Sequence, residues 1–399
     1  MKIKKLFALL LAALMLCSLA ACKEEKPNEN GANLDWVWVR DYPTHGVITE
    51  TGYYYTDSGI LQYADFTVGA STVLCTTAGC SHKESECGAN LPSYSVYKLL
   101  YWNERIYYFD ILEPVLYSRD ATGMNLKKVG SVAGKYVEEG KAAKIGRYAA
   151  ADGYLFYEVN ISDKVVTEEG FNTTRLVMQS IGRIDLSTGK DEIVYEEKIE
   201  DPAEEKLILC AARGNGLLLN YWSGLGADPR DPDYQQKLQE SKSDLLHWDI
   251  EKREMTILFE KNIPECAGVK MVSGGKVYYK TLSGTDAEDA GYTYSYDLNT
   301  GKTETACAMQ TLWHLGGSYV QCIDPETQKT IIYDMASGQK LPYDLEKTGT
   351  VYNAADNGFV VCITGQEELI YYFVSLEALK DGLQQIDLVA LFTRKLGYS

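Results

Sequence analysis

The sequence predicts an all-β fold, and within it a β-propeller of seven blades with about four strands each. Three observations lead there. First, a Gly-, Asn- or Asp-marked turn followed by an apolar, often Tyr-rich strand recurs seven times: Gly52–Tyr55, Asn103–Phe109, Asp152–Tyr157, Asn215–Leu219, Gly274–Tyr279, Gly316–Val320 and Asn357–Val361. Second, a turn of the form Asp-x-x-Ser/Thr-Gly follows several copies, as in Asp185–Gly189, Asp297–Gly301 and Asp334–Gly338. A shorter version is Asp120–Gly123, and Asp249–Lys252 is a degraded one. Third, the copies stand about 40–65 residues apart, the length of a four-stranded unit.

The chemistry of each unit is local. Asp accepts backbone N–H bonds and opens a turn, and Gly takes the positive φ that closes it. A strand such as Glu192–Tyr195 then follows, so the unit ends in a hairpin tipped by the Asp…Gly turn. These turns resemble those of pyrroloquinoline-quinone-type and related bacterial propellers. Two β-sandwiches are the alternative arrangement of the same strands. The uneven spacing points to insertions, the clearest being Gly224–Asp244, broken by Pro229 and Pro232, where Tyr234–Gln239 predicts a turn or two of helix. Near the end, Leu376–Gly382 predicts a short helix and Ile386–Phe392 the last strand. Trp36–Val39 alternates sides and is expected to close the ring by pairing into the blade at the opposite end.

The N-terminus carries an address. Lys2, Lys4 and Lys5 precede an apolar run, Leu6–Leu16, which is too short and wrongly flanked for a stable membrane span. Leu19-Ala20-Ala21-Cys22 follows. This resembles the lipobox of bacterial lipoproteins. The resemblance implies that the chain is cut before Cys22, that the Cys22 thiol takes a diacylglyceryl group and that the chain gains acyl chains of the palmitate type. It also implies an extracytoplasmic protein held by lipid at the outer face of the bacterial cell membrane. Residues 1–21 are then the signal peptide, residues 22–33 the lipidated cysteine and a flexible tether, and residues 34–399 the propeller domain. A polar tether of this length reaches about 20 Å on average.

Composition narrows the partners. The formal charge is −17. That argues against nucleic acid or anionic lipid surfaces, which need basic patches. Solubility at a crowded surface accounts for the acidity.

One compact cluster of chemical groups stands out. Cys75, Cys80, His82 and Cys87 fall in a C-x4-C-x-H-x4-C pattern on loop-like sequence between the first two blades. Three thiolates and an imidazole suit a structural zinc ion, and four protein ligands leave no open position for catalysis. Outside the cytoplasm a disulfide is the rival, Cys75 or Cys80 pairing with Cys87 and leaving one cysteine and the histidine spare. Cys210, Cys266, Cys307, Cys322 and Cys362 read as solitary, several of them in apolar strands as small hydrophobes. The cluster also resembles a Cys/His-rich insertion of uncharacterised propeller lipoproteins of Gram-positive anaerobes.

No catalytic motif emerges: no Gly-x-Ser-x-Gly elbow, no HExxH and no phosphate-binding loop. His247 and His314 sit in strand-like sequence beside tryptophans and read as packed residues. No organic cofactor is expected. The sequence therefore predicts a binding or scaffold module whose propeller face grips a protein, peptide or glycan. The alternative is an extracellular carbohydrate-active enzyme, a lyase or hydrolase. Two carboxylates about 5–9.5 Å apart in the central mouth favour the enzyme, and an aromatic-lined face favours binding.

Overall fold

The computed structural model describes residues 36–39, 46–82, 87–91, 98–110, 113–166, 171–203, 205–224, 230, 232–283, 287–341, 343, 349–355, 357–381 and 388–395. Cys22, the leader and the tether lie outside the described residues. So do 83–86 of the Cys/His loop and 386–387 of the predicted last strand.

The chain forms seven antiparallel four-stranded sheets in sequence order. A short strand β1 (Val37–Trp38) precedes them. Blade 1 is β2 to β5 (Gly46–Ile48, Gly52–Asp57, Ile60–Asp65, Ala70–Val73) and blade 2 is β6 to β9 (Leu100–Trp102, Arg105–Asp110, Val115–Asp120, Lys127–Ser131). Blade 3 is β10 to β13 (Ala142–Ala151, Tyr154–Val166, Asn172–Asp185, Asp191–Lys198) and blade 4 is β14 to β17 (Lys206–Arg213, Gly216–Ser223, Lys242–Asp249, Glu254–Phe259). Blade 5 is β18 to β21 (Val269–Ser273, Lys276–Lys280, Thr293–Asp297, Thr303–Cys307) and blade 6 is β22 to β25 (Gln310–Gly316, Tyr319–Ile323, Thr330–Asp334, Gln339–Leu341). Blade 7 is β26 to β29 (Thr350–Ala355, Gly358–Thr364, Glu368–Ser375, Val389–Lys395).

The first strands β2, β6, β10, β14, β18, β22 and β26 each touch the next, and β26 touches β2, so the ring is closed around an axis. This is a seven-bladed β-propeller, and two separate sandwiches are excluded. Every one of the seven predicted Gly/Asn/Asp copies falls at the turn into a second strand. The Asp turns lie between third and fourth strands. Asp185 Oδ1 accepts the N–H groups of Ser187 (2.8 Å) and Thr188 (2.9 Å), and Gly189 follows at φ 74°. Asp297 does the same for Asn299 and Thr300, with Gly301 at φ 68°. Asp65 and Gly69 repeat the device in blade 1, where the sequence reading did not find it. In blade 7 a helix, Leu376–Lys380, takes its place, with Ser375 Oγ accepting the Ala378 N–H at 3.1 Å. The insertion in blade 4 carries the expected helix, Tyr234–Glu240. No helix of the described residues is long and apolar enough to cross a membrane.

The core lies between blades rather than in one centre. Tyr54, Leu61, Ile106 and Tyr108 pack blade 1 on blade 2, and Phe109, Tyr148 and Tyr157 pack blade 2 on blade 3. Comparable clusters fill the remaining interfaces. Most of these tyrosines are therefore structural, as an apolar ring with a polar tip allows. Tyr157, for example, buries its ring and donates its hydroxyl to Asp191 Oδ1 at 2.6 Å.

The expected closure by strand exchange is not what happens. All four strands of blade 7 come from the C-terminal segment. Blades 7 and 1 join through side chains instead: Phe66 stacks on Phe373 at 3.7 Å and Tyr55 on Phe392 at 3.8 Å, and Arg394 Nη2 donates to the Thr56 carbonyl at 3.0 Å. The Trp36–Val39 segment goes to the axis. β1 pairs antiparallel with β14, Trp38 opposite Ala211, and Val39 N–H donates to the Cys210 carbonyl at 2.9 Å. Val39 is almost fully buried there. The last strand runs Val389–Lys395, a few residues later than expected.

Candidate functional site

Two places gather chemical groups. The first is the Cys/His loop that leads from blade 1 towards blade 2. Its start is an extension of the blade: Leu74 N–H donates to the Leu61 carbonyl at 3.0 Å, and Leu61 N–H to the Ala89 carbonyl at 2.8 Å. Its far side is held by Arg119 on β8. This buried guanidinium donates to the carbonyls of Gly88, Gly123 and Asn90 and to the Tyr108 hydroxyl. Between these anchors the ligand atoms of Cys75, Cys80, His82 and Cys87 converge, all within 4.8 Å of one another. His82 Nδ1 lies 3.4 Å from Cys87 Sγ, and His82 takes the left-handed conformation, φ 58°, to get there.

A tetrahedral zinc ion with Zn–S near 2.3 Å separates its sulfur ligands by about 3.8 Å, so the donor set fits with small closing movements. The thiols already share charge. The Thr77 N–H holds Cys75 down to about 6, so that it is largely thiolate at neutral pH. The His82 N–H draws Cys80 the same way, but the neighbouring Cys87 and Cys75 sulfurs leave it raised on balance. All four ligand atoms lie within 4.8 Å of one another, so one ion could engage them all.

The second place is on the axis. A cavity of about 630 Å³ is lined by Trp38 and Val39 of the N-terminal segment, Arg147 of blade 3, Lys270 and Lys280 of blade 5, and Trp313 and His314 of blade 6, among others. Strand β1, paired with β14, and the residue after it supply Trp38 and Val39 to its lining. Lys280 Nζ donates to the Thr311 carbonyl at 2.7 Å. Burial, reinforced by the neighbouring Lys270 ammonium, pushes Lys280 down. Burial and both lysines push His314 down to about 3, so the ring is neutral, with Nε2 3.4 Å from Thr293 Oγ1. Arg147 is not without a counter-charge: its Nε stands 4.0 Å from Glu158 Oε2, and the Glu158 carboxylate also accepts the N–H groups of Leu209 (2.5 Å) and Arg147 (3.2 Å), while burial raises it. No carboxylate lines the cavity among the described residues.

The sequence reading found the first place and not the second. His314 is packed, as expected, yet it faces a cavity. His247 is half-buried with its ring edge-on to Trp36. Cys210, Cys266, Cys307 and Cys322 are buried as expected. Cys307 and Cys322 are not solitary, for their side chains meet in the cluster between blades 5 and 6. Arg147, Lys270, Lys280, Ser283 and Trp313 went unnoticed. Their one signal is a charge set in a strand otherwise apolar, as in Val269-Lys270-Met271-Val272.

No protein-family model and no curated protein matches the chain. Among solved structures, an acylaminoacyl peptidase from Pyrococcus horikoshii is similar at 11% identity and TM-score 0.49, covering 90% of this chain and 52% of the peptidase. TolB from Acinetobacter baumannii is similar at 14% identity and TM-score 0.35, covering 88% of this chain and 78% of TolB. An oligogalacturonate lyase from Vibrio parahaemolyticus is similar at 12% identity and TM-score 0.31, covering 75% and 91%. This chain spans about half the length of the peptidase. Likeness at this level concerns fold and carries no activity across.

Proposed function

We propose that this chain is an extracytoplasmic lipoprotein, anchored through Cys22 to the outer face of the bacterial cell membrane, whose propeller is a binding module for a protein, peptide or glycan. The observation that carries the binding half is the axial cavity, where cationic and aromatic side chains converge with no lining carboxylate among the described residues. A glycosidase needs a carboxylate pair at that position. The anchor half rests on the basic n-region, the short apolar run and Leu19–Cys22.

The Cys/His loop has a structural part in this account: a zinc ion held by Cys75, Cys80, His82 and Cys87 staples the loop against blade 2. What favours it over a disulfide is the convergence of all four ligand atoms. Membrane fractionation tests the anchor. The Cys22→Ser protein should leave the membrane fraction or stall in processing, and processing with full retention contradicts it. A glycan array and a pull-down with the detergent-solubilised protein test binding.

A further inference from the structure

We infer that Cys307 and Cys322 are a modification site: they join as a disulfide that clamps blade 5 to blade 6. The inference is independent of the binding reading. It rests on the extracytoplasmic one only in that such a compartment lets disulfides persist.

The fold brings the pair together from two blades. Cys307 ends β21, the outer strand of blade 5, and Cys322 lies in β23 of blade 6. Cys307 stands opposite Thr293 on β20, and Cys322 stands opposite Thr311 on β22. Directly opposed residues share one face of a sheet. Thr293 Oγ1 and Thr311 Oγ1 meet across the seam at 2.9 Å, so these two faces look at each other. The cysteines therefore flank one interblade contact from its two sides. Both pack with Met309 and Val320 in a single buried cluster, where Cys322 Sγ lies 4.0 Å from Met309 Sδ. The two thiols interact directly. Cys210 and Cys266 are buried as well but turn to other partners. Cys210 donates to the Ile208 carbonyl at 3.7 Å, and Cys266 Sγ accepts from the Ser243 hydroxyl at 3.5 Å.

The position suits a clamp. Among the described residues the cluster between blades 5 and 6 has four buried apolar members, fewer than the cluster at any other seam; the next smallest, between blades 1 and 2, has six. Apolar burial is the main attraction between blades, so this seam has the least of it. A covalent bond adds stability there by restricting the unfolded chain.

The chemistry is thiol–disulfide exchange with a small disulfide such as oxidised glutathione. Cys307 is the attacking group. The Cys322 thiol, the Met309 N–H and the Thr311 hydroxyl together hold it below the ordinary thiol value against burial, whereas the neighbouring Cys307 and burial push Cys322 up. Ala308 and Gln310, beside it on the crossover between blades, are exposed and give the oxidant its approach. The Cys307 thiolate attacks one sulfur of the oxidant, whose S–S bond breaks and releases one thiolate. The Cys322 thiolate then attacks the Cys307 sulfur of the mixed disulfide and releases the second. The cysteines lose two electrons and two protons, and the oxidant leaves as two thiols that carry both.

The test is peptide mapping of the purified full-length protein in detergent, acid-quenched and alkylated, first reduced and then after overnight equilibration with oxidised glutathione. Cys307 and Cys322 share one tryptic peptide, residues 303–329, which chymotrypsin opens between them at Trp313 or Tyr319. The oxidised protein should yield the two halves still joined, with neither cysteine alkylated. Its melting temperature should exceed that of the reduced protein by about 3 °C or more, the order expected for a bridge closing a loop of about 16 residues. Cys307→Ala and Cys322→Ala should each abolish the link and that rise, while any disulfide within the Cys/His loop survives in both. The oxidation is carried out in vitro, so its outcome is separate from that of membrane fractionation. The inference is overturned if both cysteines are still alkylated after oxidation in protein of normal melting temperature, or if either is joined to a different cysteine. It is equally overturned if oxidation raises the melting temperature of Cys322→Ala as much as that of wild type.

Discussion

The Cys/His loop and the axial cavity use polar groups in opposite ways. In the loop, soft donors close on one another within 4.8 Å, and a buried arginine satisfies the surrounding carbonyls. Such a site is complete when one ion enters it, so it can hold a loop but has no position left for a ligand. In the cavity, cationic and aromatic residues from several blades line about 630 Å³ of space, with the buried Ser283 hydroxyl among them. That arrangement leaves open space rather than a closed donor set. Under the proposed function, the difference separates a device for stability from a device for recognition, and it lets the two be perturbed independently.

The largest expected effect breaks the loop. Cys87→Ser should take zinc from about one ion per chain to almost none, since three donors bind a structural ion far more weakly than four. Elemental analysis with thiol counting reads this, and fully free thiols in metal-free wild type would contradict the staple. Next comes the axis. Deleting residues 36–39 removes buried Val39 and the β1–β14 pairing, and should cost about 3 kcal/mol from one aliphatic side chain and two or so hydrogen bonds. Urea unfolding checks it, and an unchanged midpoint would show that β1 is dispensable. Arg119→Ala leaves several loop carbonyls without their donor and should cost about 2 kcal/mol while increasing proteolysis near Gly88.

The smallest effect is a pH slope. His314 titrates near 3 in the folded protein against about 6.5 unfolded, because burial and the Lys270 and Lys280 ammonium groups disfavour its charge. Below 6.5 the unfolded chain gains a proton that the folded chain refuses, so stability is full above that pH and falls as pH drops towards 3. His314→Asn should flatten the urea midpoint over that window. A slope identical to wild type would place the cause elsewhere, for instance in the turn aspartates, whose lowered values act at more acidic pH.

What was legible in the sequence follows the same division. Blade turns are local events: an Asp carboxylate finds N–H groups two and three residues on, and Gly supplies the positive φ. Hence all seven second strands were visible, and so was the helix at Tyr234–Glu240. Cys75 to Cys87 lie within one loop, so their meeting was visible too. Arg147, Lys270, Lys280 and Trp313 meet only because the ring closes, and each alone looks like an ordinary surface residue. Sequence marked Trp36–Val39 as a strand, but its partner is β14 of blade 4, which no local pattern names.

The most direct test of the account is a paired titration with the partner captured by the glycan array or pull-down, with zinc measured on the same samples. Lys280→Gln should lose affinity about tenfold and keep its zinc, while Cys87→Ser should lose its zinc and keep affinity within about twofold. Loss of binding in Cys87→Ser with binding retained in Lys280→Gln would contradict the division of roles and move the recognition site to the loop.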